Sequence, residues 1–343
     1  MRVALVAPFV AAIDERRSQI GGAQAVIADL ARGLASRGHD VTLLAPRGSR
    51  VSGVEVVDLG IDADPRAVFG RGAEPASQRE AFGAVGAWLA AHPKDAVHAH
   101  AFDAPAFDCV RGARVVHTLH LPPVDPAVVA AARAATAMLA TVSESCRRAW
   151  TDAGARVDEL LPNGIDLAAV PIGRGEGGYL AFAGRMSAEK DPVAACRVAR
   201  ALGLPLRLAG PIYDDRYFRT EVEPQLGPDV AYVGALDRTA LWALLGAASA
   251  TLLPVRWDEP FGMVALESLA VGTPVVAYAR GGLVDVVRGG RSGVLVAPDD
   301  EKAFADGVRR SRDLHREDCR ADASRYDLAR MLDVHEALYR RLS

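Results

Sequence analysis

The chain has 343 residues, a formal charge of −3 from 40 Lys plus Arg against 43 Asp plus Glu, and 50% hydrophobic residues. Such a length suggests about two domains with ample apolar mass for two cores, which excludes whole-chain disorder. The near-neutral balance excludes a protein built mainly to wrap nucleic acid, and even the Arg-rich stretch 301–343 sets ten basic residues against nine acidic ones.

Residues 2–7 read as a first buried strand. A secretory leader is the competing reading, but Pro8 interrupts the apolar run, and Asp14-Glu15-Arg16-Arg17 follows with no persuasive cleavage site. After Gly21-Gly22, Val26, Leu30 and Leu34 recur every fourth residue and Gly38 closes the pattern, which predicts a helix and, with a strand at 40–45, one βαβ unit. Further strands are expected at 54–58, 95–99, 113–118, 137–142 and 157–161. Asp62-Ala63-Asp64 could hold a divalent metal, but Pro65 follows and a surface turn is favoured.

Pro162-Asn163-Gly164-Ile165-Asp166 carries an Asn-Gly turn signal, and residues 171–178 have neither period nor apolar mass, as in a linker. The alternation then restarts, with strands expected at 179–183, 205–209, 229–233, 250–254, 274–277 and 293–296 and helices at 301–313 and 327–341. Residues 241–255 are too short for a membrane span, which needs about 18 apolar residues. The pattern predicts two doubly wound α/β domains, 1–170 and 171–326, with 327–343 crossing back onto the first. No GxGxxG follows either opening strand, so a dinucleotide-dependent dehydrogenase loses its main support. Cys109, Cys146, Cys196 and Cys319 are too scattered for a CxxC pattern and read as free thiols in a reducing, cytoplasmic setting.

The most informative segment runs from Asp258 to Glu267. Pro260 and Gly262 stop any preceding helix, and residues 261–271 read as a helix whose first amides, Phe261, Gly262, Met263 and Val264, are free donors for an oxygen-rich ligand. Glu259 in the loop and Glu267 in the helix suit sugar hydroxyls. Taken singly, either Glu is also compatible with a plain helix or surface charge. In the segment 184–191, Arg185 and Lys190 follow a strand and open a helix, a group able to cradle a pyrophosphate or, equally, an ordinary turn with solvated cations. Gly22 lets a ligand approach the backbone closely, or merely loosens its loop. His98, His100, His117 and His120 lack an attached carboxylate or Cys in metal-like spacing, so no metal site is expected. His100 and His120 lie at strand ends, whereas His98 and His117 read as packed.

Glu259, Phe261, Gly262 and Glu267, followed by Gly272-Thr273-Pro274-Val275 and Gly281-Gly282, match an E-x-F-G-x-x-x-x-E frame with its GTPV strand and paired Gly. In these residues the chain resembles the retaining glycosyltransferases of family four, with the GT-B fold of two Rossmann-like domains facing a central cleft. Asp285 departs from the pattern, where Glu is more usual. The resemblance implies that Glu259 and the following amides hold the donor sugar and that Glu267 binds the ribose. Through a G-R-x-x-x-x-K pattern it assigns diphosphate binding to Arg185 and Lys190. It implies contacts from Gly22 to the donor phosphate and from His120 to the donor sugar near the reacting carbon. The implied activity is transfer, with retention and without metal or cofactor, from a nucleotide-diphosphate sugar to a small-molecule or oligosaccharide acceptor, touching a membrane at most peripherally. Composition and a short first domain resemble members that decorate antibiotics such as avilamycin. An epimerase or hydrolase, or a non-catalytic binding protein, would share the nucleotide-sugar site.

Overall fold

A computed structural model describes residues 1–14, 21–64, 75–100 and 103–343. Glu15, Arg16 and Arg17, part of the argument against a leader peptide, lie outside the described residues, as does Pro65. The chain forms two units, Met1–Gly164 with Leu328–Ser343, and Ile165–Asp327.

In the first unit the strands are β1 (Arg2–Val6), β2 (Asp40–Leu44), β3 (Glu55–Val57), β4 (Ala96–Ala99), β5 (Val115–Leu119), β6 (Met138–Thr141) and β7 (Glu159–Leu160). They form one parallel sheet in the order β3-β2-β1-β4-β5-β6-β7. The strands of the second unit are β8 (Leu180–Ala183), β9 (Leu206–Ala209), β10 (Val230–Tyr232), β11 (Ala250–Leu253), β12 (Val275–Tyr278) and β13 (Gly293–Val296). Their parallel order is β10-β9-β8-β11-β12-β13. Strands such as Leu180–Ala183 and Val275–Tyr278 are buried along their whole length, which explains why they read as continuous apolar runs rather than alternating ones.

Both sheets reverse their winding once, between β1 and β4 and between β8 and β11. At such a seam the outgoing loops diverge and leave a crevice at the carboxyl edge of the strands. The loops after β8 and β11 carry residues 184–191 and 254–262, which is why positions distant in sequence can share one edge.

The segment 171–178 departs from the linker expectation. Gly173, Gly175 and Gly177 donate backbone bonds to Val271, Gly246 and Ala247 at 2.9, 3.0 and 2.8 Å. Arg316 Nε adds a bond to the Gly173 carbonyl at 2.9 Å. A Cβ on Gly173 would sit 2.1 Å from the Gly246 carbonyl oxygen, so close backbone approach accounts for this glycine. The change of unit falls earlier, at Gly164–Ile165.

The C-terminal helix, Leu328–Leu342, belongs to the first unit. Its Leu332 packs where a Cβ on Gly33 would stand, 2.7 Å from Leu332 Cδ1, and its Arg37 partner, Asp333, accepts a bond at 2.7 Å. Its Tyr339 is fully buried. The four cysteines are free, three of them buried and Cys109 half-buried. No described helix is long and apolar enough to cross a membrane.

Trp150, on the helix Glu144–Asp152, is buried in the first core and donates Nε1–H to the Leu121 carbonyl at 2.8 Å. Trp150→Ala removes that bond and leaves a cavity, so it is expected to destabilise this unit by about 3–5 kcal/mol in urea unfolding.

Candidate active site

In the second unit, the loops after β8 and β11 are tied by a backbone bond from Arg256 N to the Glu189 carbonyl, 2.8 Å long. That contact brings Lys190 Nζ to 2.5 Å from Glu259 Oε2, and the Trp257 indole N–H reaches the same oxygen at 2.8 Å. Lys190 Nζ also lies 4.8 Å from the Trp257 ring centroid. One carboxylate oxygen thus takes both donors. No described residue is seen to donate to Oε1, which keeps its capacity to accept a hydrogen bond.

The Glu259 backbone is held from the other side. Gly282 N donates to the Glu259 carbonyl at 2.5 Å, and a Cβ on Gly281, whose φ is +55°, would fall 2.3 Å from that oxygen. The paired glycines are therefore a requirement of packing against this loop.

The helix after β11 starts later than expected. It spans Met263–Ala270, with Gly262 as its cap at φ +101°, and Leu266 N closes the first turn on the Gly262 carbonyl. The amides lacking a carbonyl one turn back are those of Met263, Val264 and Ala265. Phe261 precedes the cap, and its buried ring packs edge-on against Tyr326 with centroids 5.2 Å apart. The ring itself is thus taken up by packing. Glu267 is 8% exposed, with Oε1 3.9 Å from Arg238 Nε, so it is not a solvated surface charge.

Arg185 and Lys190 do not stand at an open helix mouth. The helix Pro192–Leu202 is closed by Asp191, which is left-handed at φ 49° and accepts from Ala194 N at 3.0 Å, while Pro192 has no N–H. The cations lie in the preceding loop. Arg185 NH2 is 3.1 Å from Glu189 Oε1, and its guanidinium sits 4.8 Å from the Tyr213 ring centroid. The sequence reading overlooks Trp257, Glu189, Tyr213 and Arg238. Trp257 carries one usable signal, a donor N–H two residues before Glu259, whereas Tyr213 enters from the loop after β9 with no local mark.

In the first unit, Gly22 is exposed and opens the helix Gly22–Ser36, with Gly21 as an extended cap. Residues 15–20 lie outside the described residues. The histidines gather at the edge of β4 and β5. His98 is bonded to the Tyr339 hydroxyl through Nδ1 at 2.7 Å and to Thr118 Oγ1 through Nε2 at 2.6 Å. His100 stacks on His98 with centroids 4.1 Å apart, and its Nδ1 meets His120 Nε2 at 2.8 Å. His117 Nε2 donates to the Val110 carbonyl and His335 Nδ1 to that of Met331, both at 2.7 Å.

Burial pushes all five rings toward the neutral form: His98 and His100 well below the usual imidazole value, His120 to about 3, and His117 and His335 to about 4. Among the described residues, no group of three or more His, Cys, Asp or Glu side chains is arranged to hold a metal. Asp103, just beyond β4 and 3% exposed, accepts from Gln78 Nε2 at 2.7 Å. Burial, then Asp125 and Asp64, raise its carboxyl to about 7.

A family model described as Glycosyltransferase Family 4 matches residues 20–169, and one described as Glycosyl transferases group 1 matches residues 172–325. Glycogen synthase of Mycobacterium tuberculosis is 32% identical over 242 residues, covering 65% of this chain and 58% of that enzyme. Among solved structures, AviGT4, a glycosyltransferase involved in avilamycin A biosynthesis, is similar with a TM-score of 0.73 at 24% identity, covering 100% of this chain and 98% of that one. Anabaena HepE in complex with UDP and glucose gives 0.75 at 18% identity, covering 98% and 99%. These structural likenesses establish the GT-B fold.

The histidine cluster sets an acid limit. An unfolded histidine titrates near 6.5, so between about pH 6.5 and 4 the unfolded chain takes up protons that the buried rings refuse. Each ring then lowers stability by up to about 1.4 kcal/mol per pH unit of acidification. The urea midpoint of the first unit is expected to fall steeply from pH 7 to pH 5; a flat profile would show that the rings accept protons in place.

Asp103 works with the opposite sign. Its raised carboxyl contributes fully below the unfolded value of about 3.9, and the contribution is lost as pH rises through about 7. Asp103→Asn, which keeps an acceptor for Gln78, should raise Tm at pH 8 and leave it nearly unchanged at pH 4.

Proposed function

The chain belongs to the glycosyltransferases of family 4, and on that premise we propose that it is a retaining, metal-independent enzyme moving a hexosyl or pentosyl unit from a nucleotide-diphosphate sugar to a small-molecule or saccharide acceptor. The observation that carries this reading is the Lys190–Glu259–Trp257 group, in which one carboxylate oxygen is occupied from within while the other remains for a sugar hydroxyl. A neutral hydroxyl donating to an ionised oxygen makes a charge-assisted bond, and such bonds are strong and directional.

In this reading Glu259 and the amides of Gly262, Met263 and Val264 hold the donor sugar, and Phe261 contributes its backbone. Glu267 receives the ribose hydroxyls. Lys190, with ammonium donors beyond the one given to Glu259, and Arg185 hold the diphosphate and stabilise the charge that grows on it as the anomeric carbon–oxygen bond breaks. The acceptor oxygen attacks from the face the diphosphate leaves, a new glycosidic bond forms, and the acceptor's proton passes to a diphosphate oxygen. This accounts for retention without a protein nucleophile, and the cations take the place of a metal. Gly22 and His120 are read, by the same resemblance, as further donor contacts. HepE, whose structure holds UDP and glucose, makes UDP-sugars the first donors to test, and AviGT4 makes antibiotic oligosaccharides first among acceptors.

The test is a panel of UDP, GDP, ADP and dTDP sugars, with binding followed by calorimetry and products by NMR. Glu259→Ala should lower transfer at least about tenfold while keeping most of the nucleotide affinity, and Lys190→Ala should weaken nucleotide-diphosphate binding about tenfold or more. Full activity in both variants, or a product of inverted anomeric configuration, would refute the mechanism. Donor consumed at an equal rate without any acceptor would replace transfer by epimerisation or hydrolysis.

A further inference from the structure

Arg238 opens the helix Arg238–Ala247, which follows β10 at the carboxyl edge of the second sheet. A cation in the first turn meets the positive end of its own helix dipole, so that helix alone gives no reason for an arginine there. Asp237 already caps the turn, accepting from Ala240 N at 2.8 Å. Asp237 and Thr239 are exposed, whereas Arg238 between them is half-buried, so its side chain turns inward. The guanidinium lies over Trp242, one turn along the same helix, 5.0 Å from the ring centroid. Trp242 is itself buried, which makes it a fixed platform. From that platform Arg238 Nε stands 3.9 Å from Glu267 Oε1, on the helix Met263–Ala270.

We propose that Arg238 is a positioning residue for Glu267: braced on Trp242, it holds the charged carboxylate in place for the ribose hydroxyls and so sets a preference for a ribonucleotide donor over its 2′-deoxy form. The inference rests on the reading of Glu267 as the ribose contact. Two features of the geometry support it. A carboxylate that is only 8% exposed has lost most of its hydration, and a cation within 4 Å offsets that loss. The Nε contact is too long for a hydrogen bond, and a carboxylate has about four acceptor sites, so the charge steadies Glu267 without excluding ligand hydroxyls. An acceptor fixed before the ligand arrives loses less freedom on binding.

Calorimetry with UDP, GDP and ADP, each against its 2′-deoxy form, reads this role. The wild-type protein is expected to bind at least one ribonucleotide about tenfold more tightly than the deoxy form. Arg238→Met keeps an unbranched stem over Trp242 and loses the charge. It should weaken that ribonucleotide about tenfold and the deoxy form less than about threefold, and in transfer it should raise the donor KM while kcat stays within about threefold. Arg238→Lys should restore most of the preference. Added to Glu267→Gln, Arg238→Met should cause no further loss, because both act through one carboxylate. A preference retained in Arg238→Met, or losses that simply add in the double variant, would overturn the proposal. Should Arg238→Met fail to fold, Arg238→Gln carries the same expectations. A preference unaltered by Glu267→Gln would instead remove the ribose reading of Glu267 on which the proposal rests, and binding of none of the six nucleotides would remove the donor site altogether.

Discussion

A parallel sheet that winds outward from a central strand in both directions has one seam where neighbouring strands send their loops to opposite faces, and the candidate site residues hang from two such seams. In the second unit, β8 delivers Arg185 and Lys190 while β11 delivers Trp257 and Glu259, and the backbone bond from Arg256 to Glu189 locks the two loops together. In the first unit, β1 leads toward Gly22, β4 into His100 and Asp103, and the neighbouring β5 into His120. Strand order, set by packing two helical layers onto apolar strands, thus decides which distant residues share an edge.

The Lys190–Glu259 pair shows how the side chains at that edge are held. Taking both charges partly out of water is costly, and the loss is offset only when geometry is good and other lone pairs are satisfied. Here Trp257 adds a second bond to the paired oxygen and the loop is clamped by Gly281 and Gly282, so the carboxylate cannot turn freely. Its remaining oxygen is held in one orientation, and in the proposed reading this lowers the ordering needed when a sugar hydroxyl binds. Glu267 is also buried near a cation, Arg238.

Much of the fold is legible in the sequence because most parallel strands are buried on both faces and announce themselves as short apolar runs: each of the thirteen described strands overlaps an expected segment, although β3, β7 and β10 are only partly buried. The paired Glu frame and the Gly pair are legible for a similar reason, since a backbone as crowded as that around Gly281 admits nothing larger. What escapes the sequence are cases where the same residue type serves two purposes. Glycines at 173, 175 and 177 resemble a flexible linker and are in fact a packed strap. Asp191 reads as part of a cationic helix mouth, yet its left-handed backbone makes it the cap that closes that mouth. Trp257 and Tyr213 escape because their partners are brought by tertiary contact, which no local pattern encodes.

The C-terminal helix gives the first unit its own constraint. Tyr339 and His98 are 241 positions apart, yet they share one of the bonds that hold the histidine stack. Burial holds His98 in the neutral form, since a buried imidazolium would have to surrender its hydration with no carboxylate bonded to it. Through the Tyr339 bond to His98 and the stack of His98 on His100, the helix Leu328–Leu342 is tied to the ring that meets His120. A unit assembled from two distant segments cannot complete this cluster until the helix Leu328–Leu342 has been made. The helix is thus as much a part of the His120 environment as the strands that carry it.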